Sequence, residues 1–436
     1  MTKRSLLIAL VIVLLAPLAS PQAGTSKTPR TIAIVNARII PVVGTEVPKG
    51  TIVIKDGLIA AVGAEVAVPA GAEVVDAAGL RAYPGMIDGC SSLGLVEISG
   101  VAATVDRSET GRINPQARAL EAIRYDSMHI PIVRSNGITA AVVAPSGGLV
   151  SGVSCLLKLD GWTNREMAVK PAAAMHIELP GLRGARGGFS GGRGAAQVRA
   201  DGPTLLAELK ELFAAARAYE KRRDAAAQNR LLALPEFNET YECLLPLIKG
   251  ELPAMISVHS ERDIKAAIQF VQDEKLKAVF RGCAQGFKVA DKIKQSGIPV
   301  IIDSLYTGPS EPEDGYDAPY RNVVELAKAG VLISFSTGDS PAQGKDLPYH
   351  AAKAVAFGLP YEEAVKALTI NPARIFGVED RLGSIEPGKD ADLIIAMGDP
   401  LDMKTEVKQL VINGRAIDMA NWWETLYQKF KSRPEK

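Results

Sequence analysis

Histidine is scarce in this chain. Four occur among 436 residues, at His129, His176, His259 and His350, so a metal centre built on imidazoles would draw on most of the supply. Cysteine is as sparse. Cys90, Cys155, Cys243 and Cys283 are widely spaced and form no CxxC pair, so no zinc ribbon and no disulfide framework is indicated. Neither sign of charge dominates: 50 basic residues face 49 acidic ones for a net charge of +1, and no whole-chain field favours nucleic acid or an anionic surface. The sequence has no Walker loop, no GxSxG and no HExxH. It also lacks any internal repeat and any second apolar run of membrane length. The run at residues 6–16, after Lys3 and Arg4, reads as a secretory signal within residues 1–23, with two imperfect cleavage sites. The expected location is therefore periplasmic or secreted, or membrane-anchored if the signal stays on.

What is present is an ordinary globular balance, 47% hydrophobic and 23% charged. From residue 31 to 75 the pattern is short and alternating, with Asp56-Gly57 marking a hairpin. The far end answers it at 391–396, 407–412 and 415–417, with Asn413-Gly414 as a second turn. Between about 84 and 375, apolar runs alternate with amphipathic segments, and strands are expected to end near Asp88, Ala144, His176, His259, Arg281, Asp303 and Phe335. The predicted fold class is α/β: a (β/α)8 TIM-like barrel over 84–375, plus a small β-sandwich built from both termini (31–83 and 376–420), and a tail over 421–436. A stretch rich in glycine and arginine, 181–194, reads as a barrel loop, with an anionic ligand or RNA as the other option. After it, Pro203 opens a helix with Leu205, Leu206, Leu209, Leu212, Phe213 and Ala216 on one face.

Three segments carry a family resemblance. Residues 35–63 (VNARIIPVVG…GTIVIKDGLIAAVG), the turn Pro84-Gly85-Met86-Ile87-Asp88, and residues 367–401 (ALTINPARIFGVEDRLGSIEPGKDADLIIAMGDPL) resemble the metal-dependent amidohydrolase superfamily, and within it exported imidazolonepropionase-like and dipeptidase-like members. The resemblance implies hydrolysis of C–N bonds in cyclic amides or peptide-like small molecules, by a metal that activates water at the C-terminal ends of the strands.

The same resemblance locates the expected ligands, and several are replaced. The family ends its first strand in HxH, whereas Cys90 and Ser92 stand at those positions. Cys90 is either a thiolate ligand or a small structural residue. No middle-strand glutamate or lysine stands out, Glu236 and Glu239 lying in a loop or helix start. His259 matches a fifth-strand ligand or is a core histidine. The sixth-strand histidine is missing where Arg281, Gly282 and Cys283 stand. Asp339 matches the eighth-strand aspartate that binds metal and takes a proton from water, or caps a helix. If His176 ends a strand, it joins His259 and Asp339 in a three-ligand site. Asp303 is a supporting carboxylate or a helix cap, while His129 and His350 read as structural. These residues admit three functions: a C–N hydrolase with a reduced, mononuclear site holding one divalent metal, zinc foremost; a metal-free, inactive binding or scaffold protein; or a metal-free enzyme using Asp339 or His259 as general base. The expected partner is a small-molecule substrate or ligand, with homo-oligomerisation open, no nucleic acid, and no membrane contact beyond the export signal.

Overall fold

A computed structural model describes residues 31–179 and 202–434. The segment read as an export signal and the stretch 181–194 lie outside the described residues. The described residues open with the antiparallel strands β1 (Thr31–Ile39), β2 (Val47–Lys55) and β3 (Leu58–Gly63), while β4 (Glu73–Asp76) and β5 (Arg81–Pro84) run parallel to β1. At the β2–β3 turn Asp56 and Gly57 take φ of +53° and +88°, the left-handed pair a two-residue hairpin needs.

The barrel follows: β6 (Met86–Ser91), β7 (Ile138–Val143), β8 (Val150–Lys158), β9 (Ala168–Glu178), β10 (Ala254–Val258), β11 (Ala278–Gly282), β12 (Val300–Ile302) and β13 (Ile333–Phe335). These pair in the order β13-β12-β11-β10-β9-β8-β7-β6. A bridge between Ser91 and Gly338, with Gly338 N–H donating to the Cys90 carbonyl at 3.2 Å, draws the two edges together. The chain then returns through β14 (Leu393–Ala396), β15 (Val407–Ile412) and β16 (Arg415–Ile417), and β14 pairs antiparallel with β5, so both ends of the chain share one sheet.

The seven expected strand ends all fall within a few residues of barrel strands. The eighth strand, β8, is the departure: it runs antiparallel to both β7 and β9. Alternation of strands with helices predicts parallel neighbours, so an apolar run joined to its neighbours by short turns does not register as a strand of the same barrel. Gly147 and Gly148, at φ of +94° and +79°, reverse the chain ahead of it.

One interior layer fills the barrel. Ile87, Ala140, Leu156, Ala174, Met255, Val279 and Ile301 are buried there, each from a different strand, and Ile370, Phe376 and Leu382 pack against them. Strand alternation then aims the residue two positions further on to the same interior, which brings His176, Arg281 and Asp303 above this layer. Helices cover the outside. In Glu261–Glu274, Ser260 caps the N-terminus by accepting from Asp263 N–H, and Ile264, Ala267, Phe270 and Val271 are buried. The helix Gly202–Gln228 buries Leu209, Phe213 and Ala216 from the face read in the sequence, and Phe213 meets Phe270 at 5.9 Å. Gly85 marks the closest approach at the barrel entrance, where a Cβ would lie 2.0 Å from Thr139 Oγ1.

Because β8 runs backwards, its last residue, Lys158, leaves the barrel at the base. Its side chain is 3% exposed, with Nζ 2.8 Å from Asp390 and 3.0 Å from Asp392, and it donates to Asn413 Oδ1 at 2.5 Å. All three partners belong to the return segment, so this one ammonium group fastens the barrel to the terminal sheet. Beyond β16, residues 421–436 carry a helix, Trp422–Lys431, none of whose residues is buried. No helix among the described residues is long and apolar enough to cross a membrane.

Candidate functional site

A cavity of about 1130 Å³ opens at the C-terminal ends of the parallel strands. His259 after β10, Arg281 and Gly282 of β11, Asp303 after β12, and Thr337 and Asp339 after β13 line it, with Arg107 and Tyr306 from loops. The loop carrying Arg107 is a small hairpin held by the bridge of Val96 to Val105, and the Arg107 carbonyl accepts from Ser146 N–H at 2.7 Å.

Arg281 is the centre of this site. Its side chain is 12% exposed; Nε donates to Asp303 Oδ1 at 2.9 Å and Nη2 to Asp339 Oδ1 at 3.0 Å. Burial works to lower its pKa, but the surrounding groups, Asp303 foremost, outweigh that and raise it well above the ordinary arginine value. The reciprocal effect acts on Asp339. Desolvation pulls its pKa upward, while the Arg281 guanidinium, with Arg107 at 3.8 Å, holds it below the ordinary carboxylate value. Asp303 also accepts from Ser336 Oγ at 3.0 Å. The sequence offers Asp303 as a supporting carboxylate or a helix cap; in the structure it is an ion-pair partner in the cavity wall.

The four residues singled out in the sequence converge on this cluster without forming one group. His259 and Asp339 line the same cavity, and the His259 ring lies against Gly282, where a Cβ would meet its Cε1 at 2.4 Å. His176 is buried at 4% exposure and its Nε2 has no hydrogen-bond partner among the described residues. Burial, then Arg281, lower its pKa to about 3 against an opposing effect of Asp339, so the ring is neutral. Cys90 is 1% exposed in the interior layer, and burial pushes its thiol up to about 12. Ser92, at the other histidine position of the first strand, donates to the Asp339 backbone carbonyl at 2.9 Å. Neither Glu236 nor Glu239 is in the cavity lining. His350 accepts from Leu305 N–H at 3.1 Å, and His129 Nε2 bonds the Glu97 carbonyl at 2.8 Å, both structural contacts.

Among the described residues, no group of three or more histidine, cysteine, aspartate or glutamate side chains is arranged to hold a metal ion. The donor set as it stands does not fit a divalent ion, because no three of its groups converge and both carboxylates are already engaged by the Arg281 guanidinium.

Asp88 ties the first strand to the last. Its Oδ1 accepts from Thr337 N–H at 3.1 Å and Cys90 N–H at 3.2 Å, and its Oδ2 accepts from Thr337 Oγ1. Burial raises its pKa to about 7, against the lowering effect of those bonds. The folded state therefore holds a proton here that the unfolded chain releases near pH 4. Its contribution to stability is fully present below that pH and is lost as the pH rises towards 7. Asp88→Asn keeps the acceptor and donates to Thr337 Oγ1, so its thermal midpoint is expected to fall less than that of the natural chain between pH 4 and 7. The difference should reach about 1.4 kcal/mol per pH unit at most, and identical slopes would show that Asp88 does not titrate there.

Arg281 and Arg107 were not among the expected site residues. For Arg281 the signal was available: the basic residue ends an apolar strand, at the position where a ligand was sought. Arg107 had no local signal, since only the fold of its loop brings it to the mouth.

Comparison with known proteins agrees with this architecture. Residues 313–417 match the sequence model of the Amidohydrolase family. An amidohydrolase from Thermotoga maritima MSB8 superposes with a TM-score of 0.81 at 27% identity, covering 89% of this chain and 99% of that one. The amidohydrolase tasK of Hapsidospora irregularis is 23% identical over 84% of this chain, which spans only 40% of that relative's length. An imidazolonepropionase from Porphyromonas gingivalis is 31% identical over 24% of this chain and 26% of its own. By its fold, and by the sequence of residues 313–417, this chain is similar to the amidohydrolases.

Proposed function

We propose that this chain binds a small C–N-bonded carbonyl compound, such as a cyclic amide or a short peptide, at the barrel mouth, and that it does so without a catalytic divalent metal. The observation carrying this reading is Arg281, a permanent cation set between Asp303 and Asp339 in the cavity wall. A guanidinium offers planar N–H donors to a carbonyl or carboxylate oxygen, so it polarises and orients a ligand as fixed positive charge. It cannot deliver an activated water.

One observation favours hydrolysis as a second reading. The unpartnered Nε2 of neutral His176 lies beneath the cluster, and with His259 and Asp339 it is what a reduced zinc site, or a metal-free general base, would use. Metal analysis after expression in zinc- and manganese-supplemented medium separates the two. We expect metal far below one equivalent, and thermal midpoints raised by cyclic amides or dipeptides equally with and without a chelator; a ligand at a hundred times its Kd stabilises by about 2.7 kcal/mol. One tightly bound metal per chain, with ligand binding abolished by chelation, would overturn the metal-free reading.

A further inference from the structure

The C-terminal helix Trp422–Lys431 presents an apolar face that the described residues leave uncovered. At 3.6 residues per turn, Trp422, Leu426, Phe430, Trp423 and Tyr427 fall within an arc of roughly 140°. The four aromatic rings are 55%, 59%, 65% and 56% exposed for Trp422, Trp423, Phe430 and Tyr427. The chain has three tryptophans, and two of them are spent on this one helix. The third, Trp162, is 80% exposed and lies two residues beyond Asp160, whose carboxylate meets Arg415 of β16 at 2.6 Å.

Basic residues border the same face. Lys429 Nζ stands 5.6 Å from the Phe430 ring centre and Lys431 Nζ 5.5 Å from that of Tyr427, so both stems run along the aromatic surface with their charges at its margin. Arg433 follows, and Glu424 is the one acidic residue between 421 and 433.

We propose that this helix docks flat on an anionic lipid bilayer, with its rings at the depth of the headgroups and its basic residues against the phosphates. Tryptophan and tyrosine favour that depth, and an amphipathic helix with a basic margin lies in the interface plane rather than crossing it. A second copy of the chain fits the face less well. Ten residues span about 15 Å and offer a narrow strip, far short of the roughly 800 Å² per partner of a stable protein interface. A bilayer sets no such threshold.

The full-length chain carrying Trp162→Phe tests this directly, because Trp422 and Trp423 are then its only tryptophans. Vesicles of phosphatidylcholine with 30% phosphatidylglycerol, an anionic share of about a third chosen to give a strong surface potential, should shift the tryptophan emission to the blue, and brominated lipid should quench it. Lys429→Gln with Lys431→Gln should weaken that partitioning roughly thirtyfold, a factor of about five per basic residue at an anionic surface. Binding through any other segment leaves this signal unmoved. No shift and no quenching would overturn the proposal. A blue shift without lipid that grows with protein concentration, alongside a doubled mass, would assign the face to a second copy and overturn it equally.

Discussion

Lys158→Met is expected to lower folding stability by about 3–5 kcal/mol, the usual cost of removing one member of a buried ion pair, read as a fall in the urea midpoint at pH 7.5. Methionine fills the space of the lysine stem, so the loss isolates the charge. Asp392, 6% exposed, would keep only Asn413 N–H as a donor at 2.8 Å, whereas Asp390 would retain Arg381 at 2.7 Å. Burial already raises the Asp392 pKa, with Lys158 the main opposing influence. Without the ammonium group that pKa rises further. The folded variant then takes up a proton that the unfolded chain does not hold, so stability should be partly recovered as the pH falls from 7.5 towards 5. Adding Asp392→Asn should recover part of the loss at neutral pH. A midpoint unchanged by Lys158→Met would show that the barrel base does not depend on this group.

The second large effect is expected at Arg281. Arg281→Met should weaken the binding of any ligand identified by thermal shift by about 2–5 kcal/mol, the range for truncating one side of a hydrogen-bonded charge pair. Arg281→Lys should recover only part of that, because an ammonium group cannot span Asp303 and Asp339 as the guanidinium fork does. The variant also has a readout independent of ligand. The Arg281 guanidinium is what holds Asp339 below the ordinary carboxylate range, so the Asp339 carboxyl should titrate at higher pH in Arg281→Met, as followed by carboxyl carbon shifts. Full-affinity binding by Arg281→Met would remove the guanidinium from the recognition site and with it the main support for a metal-free reading.

Most of the fold could be read from the sequence because it rests on local rules. The Asp56-Gly57 and Asn413-Gly414 turns, the apolar strands and the capped helices each declare themselves within a dozen residues. The reversed strand β8 did not, since direction is not written in an apolar run. The site divides the same way. His259 and Asp339 follow strands, so their place in the cavity lining is legible by position. The histidine missing from β11 was also noticed, but an absence does not announce its replacement: the role of Arg281 depends on Asp303 and Asp339, which lie 22 and 58 residues further on. Lys158 was invisible for a similar reason, as its partners lie more than 230 positions away and a lone lysine closing a strand reads as a solvated end.

The reversed strand also bears on how the chain reaches this structure. β7, β8 and β9 form an antiparallel meander whose registers join residues close in sequence, such as Val143 with Cys155 and Ser154 with Ala174. Closure of the barrel instead brings Asp88 to Thr337, 249 residues apart. The entropy lost in closing a loop grows with its length, and contacts between near neighbours form sooner. The meander is therefore expected to form early, offering β9 as an edge for β10 and its successors, while the seam between β6 and β13 needs the longest loop closure. The candidate site meets that seam through Thr337 and Asp339, so the Asp339 side of the ion pair with Arg281 is the part expected to form late.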